Sequence, residues 1–257
     1  MKVSLNWVKK YVDLPKDITT KQMANDLTLR TVEVEGYENT EDKFHDIIVG
    51  KILEVNEHPN ADKLRVCKVD IGESEPKQIV CGGSNLYPNE MVVVCRPGAE
   101  VFWHGESELM KIKDSKVRGV DSYGMICGAE EVYLENIFPP QDPDEIVDLK
   151  GIDCYPGQSI TEIIDMKDVV LEIDNKSLTN RPDLWGHYGI ARELSAIYDV
   201  DLKPIPEVKI DNNLPKYDVT IEDETKCQRY VAVEIENVYE KRSPLWMQSA
   251  LIKGGMR

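Results

Sequence analysis

The sequence predicts an α+β protein of several domains, in which a small β-barrel is inserted into a discontinuous α+β domain. Residues 44–150 hold short alternating runs at close intervals, which favours a barrel. The first flanking block, 1–43, is too small to bury a core alone, and it is expected to pack with the second flanking block, 151–203. Proline residues at 204 and 206 then mark a linker, and a further α+β unit is expected to begin at 210–257.

The first block predicts two short helices and a strand. Ser4 can cap a helix that Pro15 ends, and Thr19 with Gln22 three residues later has the spacing of a capping box. The alternating run VEVEGYE, residues 32–38, predicts the strand.

The central block contains five or so strand-like runs, which are IIVGKILEV, LRVCKVDI, KQIVCG, EMVVVCRPG and MKIKDSKVRGV. Short strands separated by turns suggest an OB-fold, with a sandwich as the alternative. OB-folds bind oligonucleotides on a strand face and the loops beside it.

Two stretches of this block are candidates for a binding surface. In HPNADKLRVCKVDIG, residues 58–72, a polar turn precedes a strand with Cys67 and Val69 on one face, which suits a polar ligand and fits an ordinary hairpin equally well. In the second stretch, Lys111 and Lys113 are expected to share one face of a strand that continues to Arg118. The alternative is an ordinary solvated face.

The blocks that follow also alternate between strand and helix patterns. DVVLEID, residues 168–174, predicts a strand, and LWGHYGIARELSAIYDV predicts a helix. In the last unit, strands are expected near 217–222 and 230–238, before a helix that Ser243-Pro244 opens. Because fewer than about fifty residues make a marginal domain, we expect this chain to be the front piece of a longer protein.

Composition limits the classes of function. There are 47 acidic and 31 basic residues, a net charge of −16, which disfavours a protein that coats nucleic acid indiscriminately. Screening beyond about 8 Å still allows a local basic patch to act. No run approaches the roughly 20 apolar residues of a membrane span, and no signal peptide pattern opens the chain, so we expect a cytoplasmic protein without a membrane partner.

The sequence offers no catalytic or metal site. The six cysteines include no C-x-x-C pair and are expected to be reduced, with those in the apolar runs buried, and no nucleotide-binding or hydrolase motif is present. His187, near a helix start between Trp185 and Tyr188, is expected to be structural rather than catalytic.

Three segments, HPNADKLRVCKVD, IVCGGSN and KIKDSKVRGVDSYGMICG, resemble the tRNA-binding OB module of several aminoacyl-tRNA synthetases. The flanks MKVSLNWVKKYVDLP and LEIDNKSLTNRPDLWGHYGIAREL resemble the bacterial phenylalanine–tRNA ligase β subunit family, in which this module interrupts an N-terminal domain. One departure is DLTLRTVEVEG, where the family commonly has a Ser-Gly pair before the strand.

The resemblance implies a holoenzyme of α2β2 composition that uses ATP and Mg²⁺, with an α-subunit partner and no aminoacylation or metal residues in this chain. RYVAVEIENVYEKRSPLWMQSALIKGGMR resembles the opening of the editing module. The expected role is tRNA contact and scaffold, with no DNA partner. A free-standing tRNA-binding protein or chaperone, and an assembly module without RNA contact, are the alternatives. The residues expected to meet phosphates are Lys63, Arg65, Lys68, Lys111, Lys113, Lys116 and Arg118, and those expected to touch a base or 2′-OH are His58 and Asn60.

Overall fold

A computed structural model describes residues 1–103, 108–207, 209, 218–239 and 242–256, and within them the chain is α+β. The strands are β1 (Lys2–Ser4), β2 (Val34–Asn39), β3 (Ile47–His58), β4 (Ala61–Asp70), β5 (Lys77–Cys81), β6 (Met91–Cys95), β7 (Glu100–Phe102), β8 (Leu109–Lys111), β9 (Ser115–Val117), β10 (Val120–Ser122), β11 (Met125–Ile126) and β12 (Val169–Ile173). The α-helices are α1 (Leu5–Val8), α2 (Thr20–Arg30), α3 (Ile160–Ile163), α4 (His187–Tyr198) and α5 (Leu245–Lys253).

A three-stranded antiparallel sheet joins the residues before the central block to those after it. Its strand order is β1-β12-β2, so that the strand from residue 169 lies between two strands from the first forty residues. Helices α1, α2 and α4 pack with it around one apolar core. We call this the split core, and its fully buried side chains include Val3, Val8, Leu27, Leu171, Ile173, Leu178, Leu184, Ile190 and Leu194.

The predicted helix starts of the split core are confirmed. Ser4 Oγ accepts a hydrogen bond from Trp7 N at 3.1 Å, and Thr19 Oγ1 accepts one from Gln22 N at 3.2 Å. Each hydroxyl thereby satisfies a backbone donor that the helix itself leaves unpaired. Helix α1 ends well before Pro15, because the chain turns after Val8 to pair Val12 with Leu202.

The central block forms a five-stranded antiparallel sheet with the order β11-β6-β3-β4-β5. The predicted closed barrel is not confirmed, because the ladders of the described residues leave β11 and β5 as the two edges of this sheet. Those edges nevertheless lie close together, with Cys81 Sγ 4.0 Å from the Ile126 carbonyl oxygen. The four cysteines in the strand-like runs are buried and free, as predicted, and they are Cys67, Cys81, Cys95 and Cys127.

Residues after 150 stay with the five-stranded sheet longer than the sequence indicated. Ile160 and Ile164 lie in an apolar core with Val49 and Val93, and Gly157 N donates to the Val49 carbonyl at 2.8 Å. The chain therefore enters the split core near Asp168, whereas the sequence placed the domain boundary at 151. Local pattern could not reveal this, because residues 154–166 are apolar enough to fit either core.

The last described segment differs most from expectation. No strand forms in the described residues 218–239, so the strand predicted at 230–238 is absent. The strand predicted at 217–222 is also absent from residue 218 on, and residue 217 lies outside the described ranges. An isolated strand has no partner for its backbone groups, and Val233 remains 77% exposed. The helix after Ser243-Pro244 is confirmed as α5.

Helix α5 is anchored at the junction of the two halves of the molecule. Its buried Lys253 ammonium lies 3.2 Å from Asp168 Oδ2 and donates to the Asp165 carbonyl at 2.8 Å. Asp168 in turn accepts from Ser4 Oγ at 2.5 Å and from Asn6 N at 3.0 Å. One buried carboxylate thus ties the chain start, the entry to β12 and the last helix together.

None of the helices in the described ranges is long and apolar enough to cross a membrane.

Candidate nucleic-acid interface

The β3–β4 hairpin carries the first predicted stretch. Its register pairs His58 with Ala61, so that Pro59 and Asn60 form a two-residue turn. Along β4, Cys67 and Val69 are fully buried and Lys68 is exposed, which confirms the predicted alternation. The polar turn is therefore held at the end of a well-packed pair of strands.

The β9–β10 hairpin carries the end of the second stretch. Val117 pairs with Val120 across the turn residues Arg118 and Gly119, whose φ angles are +46° and +90°. Positive φ at both central positions is the pattern of a type I′ turn, which suits the twist of two antiparallel strands. Gly119 meets this requirement without a steric cost, whereas Arg118 adopts a left-handed conformation that is uncommon for its type.

His58 joins these two hairpins. Its side chain is only 6% exposed, its Nδ1 accepts from Asn60 N at 3.0 Å, and its Nε2 lies 3.1 Å from the Val117 carbonyl oxygen. Since Nδ1 accepts a backbone N–H, the imidazole proton is on Nε2, which donates to Val117. Both ring nitrogens are therefore used within the chain, which leaves neither for a base.

Asn60 makes a second connection between the hairpins. Its side-chain Nδ2 donates to the Arg118 carbonyl at 3.1 Å, and a Cβ added at Gly119 would lie 3.7 Å from the same nitrogen. The Asn60 side chain is exposed at the tip. Pro59–Asn60 and Arg118–Gly119, the paired turns, consequently form one joined surface feature.

The base of the β9–β10 hairpin is fixed to β5 by two side chains that belong to no predicted site, Gln78 and Ser122. Gln78 Nε2 donates to the Asp121 carbonyl at 2.7 Å, and Val80 N donates to Ser122 Oγ at 3.0 Å. The Arg-Gly pair between the short runs SKV and VDS was the available signal, because a two-residue turn with glycine predicts a hairpin. The partners on β5 had no local signal.

The predicted cations of β4 do not form one patch. Register pairs Arg65 with Cys81 and Lys68 with Gln78, so that Arg65 and Lys68 lie on opposite faces of the strand. Arg65 donates to the Asp62 and Leu64 carbonyls at 2.9 and 3.0 Å, and Lys68 lies 3.4 Å from Glu54. Lys63 is exposed near the paired turns.

The continuous basic strand predicted from Lys111 to Arg118 is wrong. Lys111 ends β8, which pairs with β7, and the next strand begins at Ser115 and pairs with β10. Lys111 and Lys113 are both exposed and flank the buried Ile112, whose N–H donates to the Ala99 carbonyl at 2.8 Å. Between these two lysines and Lys116 the chain stops pairing with β7 and starts pairing with β10. The local alternation of apolar and polar residues cannot indicate such a change of partner strand.

Acidic side chains lie among these cations. Lys116 is 3.5 Å from Asp121 across the β9–β10 hairpin, and both side chains are largely exposed. A surface pair of this kind contributes little to stability, so that its lysine can exchange the carboxylate for a phosphate at small cost.

His187 is structural, as predicted. Its Nε2 accepts from Ser4 N at 3.0 Å, and its ring stacks on Trp7 with centroids 4.1 Å apart. Burial lowers the pKa of His187 to about 4, although the nearby Asp168 carboxylate opposes the shift. A neutral imidazole is required here, because its nitrogen accepts a hydrogen bond.

No group of three or more His, Cys, Asp or Glu side chains in the described ranges could hold a metal ion. The described ranges therefore hold no such ready-made cluster for the Mg²⁺ that the resemblance implies.

Part of the chain matches the model of a known family, and the whole chain is similar to several curated proteins. Residues 47–148, which include both hairpins, match the family described as "Putative tRNA binding domain". The phenylalanine–tRNA ligase beta subunit of Fusobacterium nucleatum is 35% identical over 260 residues, covering 100% of this chain and 31% of that protein. Over its whole length, the chain is similar to phenylalanine–tRNA ligase beta subunits.

Further beta subunits extend the same relationship. Those of Halalkalibacterium halodurans and Francisella tularensis are each 38% identical, again over 100% of this chain and 31% of theirs. The chain therefore spans about a third of the length of the curated relatives it matches, and corresponds to their N-terminal part. Among solved structures, the C-terminal domain of Plasmodium vivax p43 is 29% identical over 31% of this chain and 43% of its own, with a TM-score of 0.24, which is too low to establish a shared fold.

Proposed function

We propose that this chain acts as the N-terminal part of a phenylalanine–tRNA ligase beta subunit and supplies tRNA contact and scaffold to the ATP-dependent charging of tRNA in the cytoplasm. The single observation that carries the proposal is the match of residues 47–148 to a tRNA-binding family within a chain homologous throughout to these subunits. The proposal also assigns the five-stranded sheet and its hairpins to the OB class. Mg²⁺, ATP and an α subunit in an α2β2 assembly belong to the holoenzyme, and no residue of this chain is assigned to them.

The geometry supports a divided set of phosphate contacts rather than one basic strand. Lys63, Lys116 and Arg118 lie at or near the paired turns, and Lys111 and Lys113 form a separate exposed pair. Arg65 and Lys68 contribute from the two faces of β4. Asn60, exposed at the tip, offers its side chain to a base or 2′-OH, as single-stranded or splayed RNA presents them.

Salt dependence of tRNA binding tests the contacts. We expect Lys111→Ala with Lys113→Ala to weaken binding and to make the log–log salt slope shallower by about 1.4–1.8, because each phosphate contact on a single strand or duplex contributes about 0.7–0.9. The measurement is a tRNA titration of the chain at two salt concentrations.

A matched control removes the same charge elsewhere. Lys9→Ala with Lys10→Ala changes two exposed lysines beside the split core and should leave both affinity and slope unchanged. If both double variants behave alike, the lysines at 111 and 113 make no specific contact.

The net charge of −16 favours one rival, an assembly module without RNA contact. Co-purification of the chain with an α-type subunit, together with no shift of tRNA on a gel, would establish that rival. Binding of tRNA, together with failure of the chain to co-purify with any α-type subunit, would instead favour a free-standing tRNA-binding protein.

A further inference from the structure

We propose that His58 is a positioning residue for RNA binding, which acts by holding the Arg118–Gly119 turn against the β3–β4 hairpin and not by touching RNA. The inference rests on the proposed tRNA contact of Arg118 and deepens it. It replaces the direct base contact that the sequence suggested for this histidine.

The first support is the buried, two-sided bonding of the imidazole. Nδ1 accepts from Asn60 N within its own hairpin, whereas Nε2 donates to the Val117 carbonyl, 59 residues along the chain. The two nitrogens therefore have separate tasks. One shapes the Pro59–Asn60 turn, and the other attaches the β9–β10 hairpin to it.

The second support is the position of Val117. It directly precedes Arg118, whose backbone has a positive φ and whose carbonyl accepts from Asn60 Nδ2. A hairpin of three-residue strands is weak by itself, because two short strands bury little apolar surface. Bonds to His58 and Asn60 at the tip, and to Gln78 and Val80 at the base, compensate for that weakness. The direction of the Arg118 side chain therefore depends on His58.

The two tasks can be separated by substitution. In His58→Gln, the amide nitrogen can reach the position of Nε2 and keep the donor to Val117, while the acceptor for Asn60 N is lost. In His58→Asn, the shorter side chain can replace Nδ1 and keep that acceptor, while the donor to Val117 is lost. The proposal expects His58→Gln to retain tRNA affinity and His58→Asn to weaken it by about fivefold, the effect of one net hydrogen bond.

The salt slope distinguishes positioning from contact. Loss of the Arg118 phosphate contact should make the slope shallower by about 0.7–0.9 in His58→Asn, whereas a neutral imidazole that touched a base directly would change affinity at constant slope. Arg118→Asn removes the charge with a residue that tolerates positive φ. In that background, His58→Asn should have no further effect on affinity.

Hydrogen exchange of residues 115–122 provides a readout without RNA, on the full 257-residue chain. Faster exchange is expected in His58→Asn and near-native exchange in His58→Gln, with thermal unfolding as the check that both variants fold.

Additive effects of His58→Asn and Arg118→Asn on tRNA affinity, or an unchanged salt slope in His58→Asn, would overturn the positioning role while leaving tRNA binding intact. Wild-type protein that fails to bind tRNA would overturn the proposed function and this inference together.

Discussion

The split core holds a half-buried histidine and the five-stranded sheet a buried glutamate, so that the two regions remove groups of opposite charge from water. His187 lies against the split core, where burial lowers its pKa to about 4. Glu90, 1% exposed, immediately precedes β6 of the five-stranded sheet. Burial raises the pKa of Glu90 to about 7, the Tyr87 N–H opposes that shift, and the Asp148 carboxylate adds to it.

One physical cause therefore gives two opposite responses to pH. Glu90 is disfavoured as an anion, so stability falls as pH rises from 4.5, its ordinary pKa, to about 7. His187 is disfavoured as a cation, so stability falls as pH decreases from 6.5 to about 4. The sign of the response is set by the side chain that is buried and not by the amount of burial.

The largest expected effect comes from breaking the junction between the two regions. Lys253→Met leaves the buried Asp168 carboxylate without its ammonium partner, and we expect about 3–5 kcal/mol lower free energy of unfolding. Urea unfolding, followed by fluorescence and by far-UV circular dichroism, measures it. Lys203→Met, which breaks the exposed pair with Asp13, should cost less than about 1 kcal/mol.

The next prediction isolates the five-stranded sheet. Glu90→Gln should raise the free energy of unfolding by about 3 kcal/mol above pH 7 and leave it unchanged below pH 4.5. In the wild type, Oε1 of Glu90 has no hydrogen-bond partner among the described residues. Replacing this carboxylate with an amide therefore breaks no hydrogen bond at that oxygen. Urea titrations across this pH range provide the measurement, and Glu54→Gln, on an exposed side chain, should remain parallel to the wild type.

A smaller effect is expected in the split core. The contribution of His187 to the free energy of unfolding should fall by about 2 kcal/mol between pH 6.5 and pH 4, a value reduced for the partial exposure of its side chain. The difference between wild type and His187→Gln measures this loss, because the opposite change at Glu90 is common to both proteins. His187→Gln should abolish that loss, although it is less stable at neutral pH because the stacking on Trp7 is removed. His45→Gln, on a side chain that is 81% exposed, serves as the control. Equal acid sensitivity in all three proteins would contradict the assignment to His187.

Features that depend on neighbouring residues could be predicted from the sequence. The caps at Ser4 and Thr19 need only the next few backbone donors, and the buried alternation of β4 needs only the period of a strand. The packing of the first block with residues after the central block could likewise be predicted, since the first block is too small to bury a core alone.

Features that depend on a partner far away in the sequence could not be predicted from the sequence. Whether the sheet closes, where β8 gives way to β9, and which carbonyl His58 reaches are all set by contacts between residues far apart in sequence. The run at 230–238 has strong strand character and forms no strand, because propensity does not supply a pairing partner. The residue types of the candidate site stay a prediction from the sequence, and their grouping in space depends on pairings that local pattern does not indicate.

The bond between Thr40 N and the Asp168 carbonyl, 2.9 Å long, has a consequence for the order of folding. It joins residues 128 apart, and closing so long a flexible loop costs about 4 kcal/mol in chain entropy. Prior folding of residues 47–166 brings the two ends together and removes most of that cost. We therefore expect amides of the five-stranded sheet to gain exchange protection before those of β1 and β12 in pulse-labelled refolding. The central block would then serve as the template on which the split core assembles.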